Sequence, residues 1–528
     1  MNRALTGKLR SAGGLLAGAS ILCVSMGVIG GWPARASATA PGTGKADSWT
    51  VYHGDGAGTG VAAFVRRVEV SARAWTSPTL DGQIYSEPLV FGRRVYVATE
   101  NNTVYGLSAA TGSVKWSVHL GKPVPASSLP CGNIAPTVGI TGTPVIDPVR
   151  REIFVVADVL RKNGPAHILF GLSTSSGKRE MSQRVDPPGQ DPTTILQRTA
   201  LTLSAGQVVF GFGGNYGDCG SYRGRLVAAP ETGGNPRIFT VDAAPDSSKG
   251  AIWMGGAAPA VDGHGNLWVS TGNSTIHAAG HAYDHSDGVL ELSPTLRLLQ
   301  FFAPVSWPQD NANDIDMSTE PVLLGNSQVL VAGKSGRVFL LDQTHLGGIG
   351  GQQAVLRSAC DGDIDGGSAV AGQTVYLPCV SGIVAVRVTK SPPGLRLLWK
   401  SGTGGGPPIL AGGLVWTIGQ DGKLYGLEPA TGKIRRQTTI GVPANHFPTP
   451  GVGAGLLLAA CAANVIAFPA GALAEHAASR ARTPAKSTCS HSTPGHRVSR
   501  QAIAAITLAG LLVIIGLGWL ILRRTRRT

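Results

Sequence analysis

The densest group of possible metal ligands in the sequence lies between His277 and Asp287, which holds three histidines and two aspartates. Imidazole and carboxylate groups suit zinc or copper, so His277, His281 and His285 are candidate metal ligands. The segment separates two predicted strands and therefore forms a loop at one rim of the fold. A solvent-exposed polar loop explains the same residues without a metal. We favour that interpretation because no second group of ligands accompanies this one.

Two common catalytic patterns are absent from the sequence, the Gly-x-Ser-x-Gly nucleophile elbow and the nucleotide-binding glycine loop. The chain has 74 glycines, but most of them stand between short apolar runs, where glycine commonly supports turns. The glycines therefore indicate a chain of many short β-strands.

A repeated unit organises these strands. Residues 92–116 predict three short strands joined by tight turns, and residues 413–432 repeat the pattern, each with Tyr-Gly-Leu-x-x-Ala-Thr-Gly, at Tyr105 and Tyr425. A single four-stranded sheet cannot bury both of its faces, so such a repeat predicts a β-propeller. Weaker copies bring the number of units to eight, at residues 151–177, 207–229, 265–292, 328–341, 374–386 and 455–468.

The last unit stops after its third strand, and the strand Val68–Trp75 has no unit of its own. The simplest arrangement is that this N-terminal strand completes the eighth sheet, which leaves no exposed edge. We therefore predict an all-β fold, an eight-bladed propeller of four-stranded antiparallel sheets closed by an N-terminal strand. Seven blades is the alternative, since the second and third units are degenerate.

Residues 49–470 resemble the propellers of the pyrroloquinoline-quinone (PQQ) repeat family, which includes quinoprotein dehydrogenases and an outer-membrane assembly lipoprotein. Trp49-x-x-Tyr52-x-x-Asp55-x-x-x-Thr59-Gly60 looks like the family's N-terminal signature. Ala-Thr-Gly-x-x-x-Trp, complete once at residues 110–116, is its repeat signature. The resemblance is strong evidence for the fold and weak evidence for an activity.

The dehydrogenases of this family hold calcium and the quinone on the propeller axis with a Glu, an Asn and an Asp. Ser270-Thr-Gly-Asn273 resembles the segment with the Asn, and Asn313-Asp-Ile-Asp316 resembles the segment with the Asp, which also acts as the base. The resemblance thus implies Asn273, Asp314 and Asp316 as calcium ligands, Asn273 and Asp316 as quinone contacts, and Asp316 as the catalytic base.

The sequence departs from the dehydrogenases at three points. The Glu position falls near Asp218, where there is no Glu; no adjacent cysteine pair exists to cover a quinone; and no Cys-x-x-Cys-His haem motif is present. Asn273 and Asp316 are equally explained as turn residues. We therefore expect no cofactor, with calcium and PQQ, or calcium without redox chemistry, as alternatives.

Both ends of the chain carry targeting signals. Three basic residues precede the apolar run Leu15–Ile29, and Ala34-Arg-Ala36 supplies a cleavage position, so residues 1–36 are predicted to be a secretory signal peptide. Residues 502–522 are uncharged and long enough to span a membrane, and the basic segment 523–528 should remain cytoplasmic. The predicted order is signal peptide, propeller (49–471), disordered linker (472–501), membrane span and cytoplasmic tail. The propeller would then be extracytoplasmic on a single-pass membrane protein.

The chain has a formal net charge of +14, which would suit nucleic-acid binding if the propeller carried it. The signal, the linker and the C-terminal segment, however, each contribute +4. Little charge is left for the propeller, so the sequence argues against a nucleic-acid partner.

Six cysteines follow the signal peptide, and an even number in an exported chain favours disulfides. Cys360 and Cys379 are the best local pair. Cys131 and Cys219 lie in Gly/Asn-rich loops that plausibly join neighbouring blades. Cys461 and Cys489 remain as the third pair.

Together these features predict a membrane-anchored, extracytoplasmic propeller that acts as a binding or assembly scaffold for protein partners at the cell envelope rather than as an enzyme. A PQQ- and calcium-dependent alcohol oxidoreductase is the alternative. A structural envelope protein without a specific ligand is a third class.

Overall fold

The computed structural model describes residues 47–277 and 280–471. The predicted signal peptide, linker, membrane span and tail lie outside the described residues, and so does Cys489. In the part of the chain that the structure describes, no helix has the length and apolar character needed to cross a membrane.

Eight four-stranded antiparallel blades form the fold, as the repeat predicts. The chain begins with a 3-10 turn (Tyr52–Gly54) and three short strands, β1 (Val61–Ala62), β2 (Arg67–Val68) and β3 (Trp75–Thr76). Blade 1 consists of β4 (Leu89–Phe91), β5 (Arg94–Ala98), β6 (Thr103–Ser108) and β7 (Val114–His119). A hairpin of β8 (Val124–Pro125) and β9 (Thr137–Val138), with a 3-10 turn at Ala126–Ser128, leads to blade 2. Blade 2 consists of β10 (Val145–Asp147), β11 (Glu152–Arg161), β12 (Gly164–Ser173) and β13 (Arg179–Arg184).

Blade 3 consists of β14 (Ile195–Leu196), β15 (Thr202–Ser204), β16 (Gln207–Gly214), β17 (Arg225–Pro230) and β18 (Arg237–Thr240), and a 3-10 turn (Met254–Gly256) follows it. Blade 4 consists of β19 (Ala260–Val261), β20 (Leu267–Ser270), β21 (Val289–Leu292) and β22 (Leu298–Ala303), followed by α1 (Trp307–Ala312). Blade 5 consists of β23 (Val322–Leu323), β24 (Gln328–Ala332), β25 (Val338–Asp342) and β27 (Ala354–Leu356). From within it, β26 (Gly348–Ile349) pairs in parallel with β22 of blade 4.

Blade 6 consists of β28 (Ala369–Ala371), β29 (Thr374–Cys379), β30 (Gly382–Lys390) and β31 (Pro393–Lys400). Blade 7 consists of β32 (Ile409–Ala411), β33 (Leu414–Ile418), β34 (Lys423–Leu427) and β35 (Ile434–Thr439), with β1 parallel to β32. Blade 8 consists of β36 (Gly451–Gly453), β37 (Leu456–Cys461) and β38 (Asn464–Gly471).

The ring closes through the N-terminal chain, because β2 and β3 both pair with β38 and supply the outer edge of blade 8. The continuous strand expected over Val68–Trp75 is instead split in two. Val68 pairs with Ala470 and Trp75 with Ala467, so a long stretch of one strand faces a short stretch of the other. Pro469 lies opposite this stretch and has no N–H to donate, which explains why the regular ladder is interrupted there.

The repeat signature corresponds to a joint between neighbouring blades. The indole N–H of Trp75, Trp116 and Trp399 donates to the carbonyl of Ala109, Thr174 and Pro429 in the next blade, at 2.7, 3.1 and 3.0 Å. The ring lies on a glycine of that blade, and a Cβ at Gly112 would come within 2.4 Å of Trp75. Because a side chain there would collide with the indole, the glycine of Ala-Thr-Gly and the tryptophan belong to one packing unit.

The N-terminal segment 49–62 also crosses the centre of the propeller and bonds to the inner strands of blades 1, 2, 4, 5, 6 and 7. Backbone bonds join Trp49 to Val90, Thr50 to Ile146, Gly56 to Val261, Ala57 to Leu323, Thr59 to Val370 and Gly60 to Leu410. This segment, which we call the central strap, includes the whole N-terminal signature and lies against the inner strands.

Two of the three predicted disulfides are confirmed. Cys131 pairs with Cys219, and Cys360 pairs with Cys379. The pairing of Cys461 with Cys489 stays a prediction.

Candidate functional site

The loops that lead into the inner strands converge at one end of the axis, since inner strands surround the axis in a propeller. Arg198 precedes β15, Trp253 precedes β19 and Phe447 precedes β36, while Lys334 follows β24. We call these four residues the axial mouth. All four side chains are half-buried.

A pair of aromatic rings lies between two cations at the axial mouth. The ring centroids of Trp253 and Phe447 are 5.9 Å apart. The guanidinium of Arg198 lies 5.6 Å from the Phe447 ring, and the ammonium of Lys334 lies 5.5 Å from the Trp253 ring. The negative faces of the rings attract both cations, so the four side chains support one another in a single stack.

Asn273, Asp314 and Asp316, predicted from separate segments, do come together at the axial mouth. The backbone N–H of Asn273 donates to Oδ1 of Asp316 at 2.7 Å. Lys334 Nζ lies 2.6 Å from Oδ2 of Asp316 and 3.2 Å from Oδ1 of Asp314. Burial lowers the pKa of Lys334, but the two carboxylates outweigh it and raise that pKa overall. The ammonium therefore stays charged among these oxygens.

This donor set does not fit a calcium ion. Calcium takes about six to eight oxygen ligands, usually with several carboxylates. Here both oxygens of Asp316 already accept from nitrogen donors, and Lys334 holds the position between the acids where a cation would bind. A divalent ion would have to displace the lysine and overcome its charge.

Asp218 does not supply the missing carboxylate. Its Oδ1 accepts the hydroxyl hydrogen of buried Tyr222 at 2.6 Å. Between residues 47 and 471, with 278 and 279 set aside, no three His, Cys, Asp or Glu side chains are arranged to hold a metal ion.

The three candidate histidines have separate environments. His277 Nδ1 lies 2.9 Å from the carbonyl of Thr275, and His281 Nδ1 lies 3.8 Å from Asp246. The ring of His285 packs near the rings of Tyr283 and Phe301, at 5.5 and 5.6 Å. The structure therefore does not bring His277, His281 and His285 together around one point.

Two buried aspartates distinguish this loop from the solvent-exposed polar loop expected from the sequence. Asp284 accepts hydroxyl hydrogens from Ser274 and Ser286, each at 2.6 Å. Asp287 is 1% exposed and lies near the backbone N–H of Met317. Burial, and then the charge of Asp316, raise the pKa of Asp287 well above its usual value. Both carboxyl groups are thus buried, and that of Asp284 ties the loop to Ser274 and Ser247.

The sequence interpretation missed all four residues of the axial mouth, Arg198, Trp253, Lys334 and Phe447. Arg198 donates to Oδ1 of Asn445 at 2.8 Å, and Asn445 donates to the carbonyl of Tyr85 at 2.6 Å. Burial lowers the pKa of Arg198, although the neighbouring Tyr85 and Glu100 oppose that shift. The four loops lie far apart in sequence and have no shared motif. Only Lys334, in the Gly-Lys-Ser-Gly turn of a complete repeat unit, offered a sequence signal.

A cavity of about 120 Å³ adjoins the axial mouth, lined by residues of blades 6 to 8 that include Asp363, Asp365, Gln420, His446 and Phe447. Small-molecule sites commonly occupy roughly 300–1,000 Å³, so this cavity is too small to enclose a large cofactor. Burial raises the pKa of Asp365 to about 7. The cavity can admit one side chain or a small polar group.

Comparisons with known proteins agree on the fold. Residues 62–279 match the family model described as outer membrane protein assembly factor BamB, which confirms the predicted resemblance to PQQ-repeat propellers. No curated protein sequence matches the chain significantly.

Several solved structures are similar. Quinohemoprotein alcohol dehydrogenase from Comamonas testosteroni shares 16% identity, covers 85% of this chain and 83% of its own, and has a TM-score of 0.61. The quinohemoprotein alcohol dehydrogenase ADHIIG from Pseudomonas putida HK5 shares 13%, covers 85% and 84%, and has a TM-score of 0.60. A europium-containing methanol dehydrogenase shares 16%, covers 78% and 89%, and has a TM-score of 0.57. At these identities the likeness extends to the fold alone.

Proposed function

We propose that this chain, a propeller of the PQQ-repeat type, is a membrane-anchored extracytoplasmic binding protein that engages a protein partner through the axial mouth. The observation that carries the proposal is the half-buried stack of Arg198, Phe447, Trp253 and Lys334. Aromatic and arginine side chains dominate the energetics of protein interfaces, and here they are held rigidly by loops from four blades. The adjoining small cavity suits one inserted partner side chain.

A quinone-dependent alcohol oxidoreductase is the second candidate. The convergence of Asn273, Asp314 and Asp316 favours it, as do the names of the similar solved structures. Two observations argue against this activity. Lys334 pairs with Asp314 and Asp316, and no glutamate lies near Asp218, where the dehydrogenases have one. Because the donor set does not fit calcium as it stands, we rank this activity below partner binding.

Cross-linking in intact cells tests the binding proposal. The full chain is compared with Trp253→Ala/Phe447→Ala, and with Tyr216→Ala as the control, since Tyr216 is a 72% exposed aromatic outside the axial mouth. A defined partner that cross-links to the wild type and to the control, but is lost in the double variant, supports the proposal. Equal recovery by all three proteins would refute the axial mouth as the binding surface.

An activity assay separates the two candidates. We expect no dye-linked oxidation of alcohols when the purified chain is given PQQ with calcium or a lanthanide. Turnover that requires both the quinone and the metal, and disappears in Asp316→Ala, would make the oxidoreductase the leading function.

A further inference from the structure

The two ends of the propeller differ in charge. Strands alternate in direction within a blade, so the turns from first to second strand and from third to fourth strand lie at one end, and the axial mouth lies at the other. We call the former the turn end.

Blades 6, 7, 8 and 1 are strongly basic at the turn end. Several exposed basic side chains there form no ion pair with any residue the structure describes, among them Arg66, Arg93, Lys115, Lys390, Lys433 and Arg436. Nearby carboxylates are few. Glu69 already pairs with Arg67 at 2.9 Å, and Glu428 pairs with Arg435 at 2.8 Å. Asp47 lies beside the turn of blade 8. The sector therefore has a large positive excess.

The same blades have a more balanced charge at the other end, where exposed Lys122 and Arg73 also lie. Asp81, Asp361, Asp363 and Asp421 lie in the loops there, and the nearby lysines Lys400 and Lys423 already pair with Asp361 and Asp421. The positive excess of these blades is thus concentrated at the turn end, and such an asymmetry can orient the propeller in an electric field.

The chain leaves the propeller within the basic sector. Strand β38 ends at Gly471, which pairs with Arg67 at the turn end of blade 8. Arg436 pairs with Gly426 in blade 7, just as Trp116 pairs with Gly106 in blade 1. Arg436 therefore occupies the position of the tryptophan that joins neighbouring blades, and it lies beside blade 8. The apolar stretch 502–522 follows after residues 472–501, and this short tether would keep the propeller concentrated near a bilayer.

We propose that the turn end of blades 6, 7, 8 and 1 docks on the anionic headgroups of a lipid bilayer and turns the axial mouth away from the membrane. The inference rests on the anchoring part of the proposed function, but not on the identity of any partner. Lysine and arginine side chains close to an anionic membrane surface are attracted by the negative charge of its headgroups. Salt screens this attraction and so weakens it. The lipid orients the propeller, while the span only retains it.

Hydrogen exchange of the full chain in lipid nanodiscs tests the proposal. Discs contain phosphatidylcholine alone or with phosphatidylglycerol, at low and high salt. We expect slower exchange in the turns around Arg93 and Lys433 only with phosphatidylglycerol at low salt, and no change around Asp363. The protection should disappear in Lys433→Glu/Arg436→Glu but persist in Arg161→Glu/Lys162→Glu, a control with the same charge change at the other end.

The outcomes separate the two proposals. A chain that enters the discs but shows equal exchange in both lipid mixtures overturns the docking, whereas the anchoring stands. Protection at the axial end instead would reverse the orientation and also overturn the docking. Failure to enter discs of either composition would refute the anchoring and, with it, the docking.

Discussion

Single charged residues determine what the axial mouth can do. Lys334 holds Asp314 and Asp316, and it also lies over the Trp253 ring. The same carboxylates that resemble calcium ligands are therefore committed to a protein cation. One side chain thus decides between a metal site and an aromatic binding surface.

Replacing Lys334 should expose the carboxylates to metal ions. We expect Lys334→Met to bind terbium measurably more tightly than the wild type, as observed by lanthanide luminescence. The variant should also lose about 3 kcal/mol of unfolding free energy, because one member of a largely buried ion pair is removed. Lys400→Met is the control, since Lys400 pairs with exposed Asp361 at 3.2 Å, and its loss should cost less than about 1 kcal/mol. Unchanged terbium affinity in Lys334→Met would contradict this role.

Glu87 should make stability fall as the pH rises. It accepts from the indole of Trp49 at 2.6 Å and the backbone N–H of His53 at 3.0 Å, yet burial raises its pKa to about 8. The folded protein therefore keeps a proton that the unfolded chain releases above pH 4.5, and stability is lost between pH 4.5 and about 8. Burial also raises the pKa of Glu100 and Asp365 to about 7, with the same sign.

Urea denaturation across this pH range measures the effect. We expect the unfolding free energy of the wild type to decrease by a few kcal/mol toward pH 8, on the order of 1.4 kcal/mol per unit of pKa shift. Glu87→Gln should lower stability by about 1–2 kcal/mol, because it loses one acceptor, and should flatten the pH dependence. A slope that is the same in the variant would exclude Glu87 as its source.

At the scale of elements, the blades depend on joints that reach across sheet boundaries. The tryptophan that ends an outer strand packs on the glycine turn of the next blade and bonds its backbone. Strand β3 brings Trp75 to the joint between blade 8, which closes the ring, and blade 1. Because Trp75 also pairs with Ala467 of β38, it links the closing seam to blade 1 through the contact that joins other blades.

Trp75→Ala should open that seam. We expect a loss of about 3–5 kcal/mol, from the deletion of a buried aromatic ring, together with faster hydrogen exchange in β38. Trp116→Ala is the matched control, because it removes the same contact between blades 1 and 2, away from the closing seam. It should cost similar stability but leave exchange in β38 unchanged. Equal exchange of β38 in both variants would show that Trp75 does not hold the closure.

The disulfide Cys360–Cys379 should stabilise blade 6 locally. Its loop spans 19 residues, so the chain-entropy estimate is about 3 kcal/mol. Cys360→Ser/Cys379→Ser is expected to lose that amount in urea denaturation. A loss below about 1 kcal/mol would mean that packing alone holds the loop.

For the whole molecule, we predict that the propeller lies outside the cytoplasm, because the sequence predicts a signal peptide and a C-terminal membrane span. Protease added to spheroplasts should release a soluble propeller by cleavage within residues 472–501, where the composition favours disorder. Release only after lysis would reverse the predicted orientation.

The sequence by itself determined the architecture of this protein. Repeated β-strands with Tyr-Gly-Leu-x-x-Ala-Thr-Gly predicted the blades, the unpaired N-terminal strand predicted the closure, and cysteine positions predicted the two confirmed disulfides. These features are local or periodic, because each blade satisfies its own hydrogen bonds and alternates buried with exposed side chains. Resemblance also located Asn273 and Asp316 near one another.

Only the tertiary structure decided the chemistry of the site. Arg198, Trp253, Lys334 and Phe447 come from four loops separated by long stretches of sequence, and no spacing rule brings them together. The split of the closing strand depends on how residues 69–74 face Pro469 across the seam. The ion pair of Asp316 with Lys334 depends on the fold bringing these two side chains together. Strand patterns report which face of a strand is buried, but charge compensation on an axis depends on the geometry of all eight blades at once.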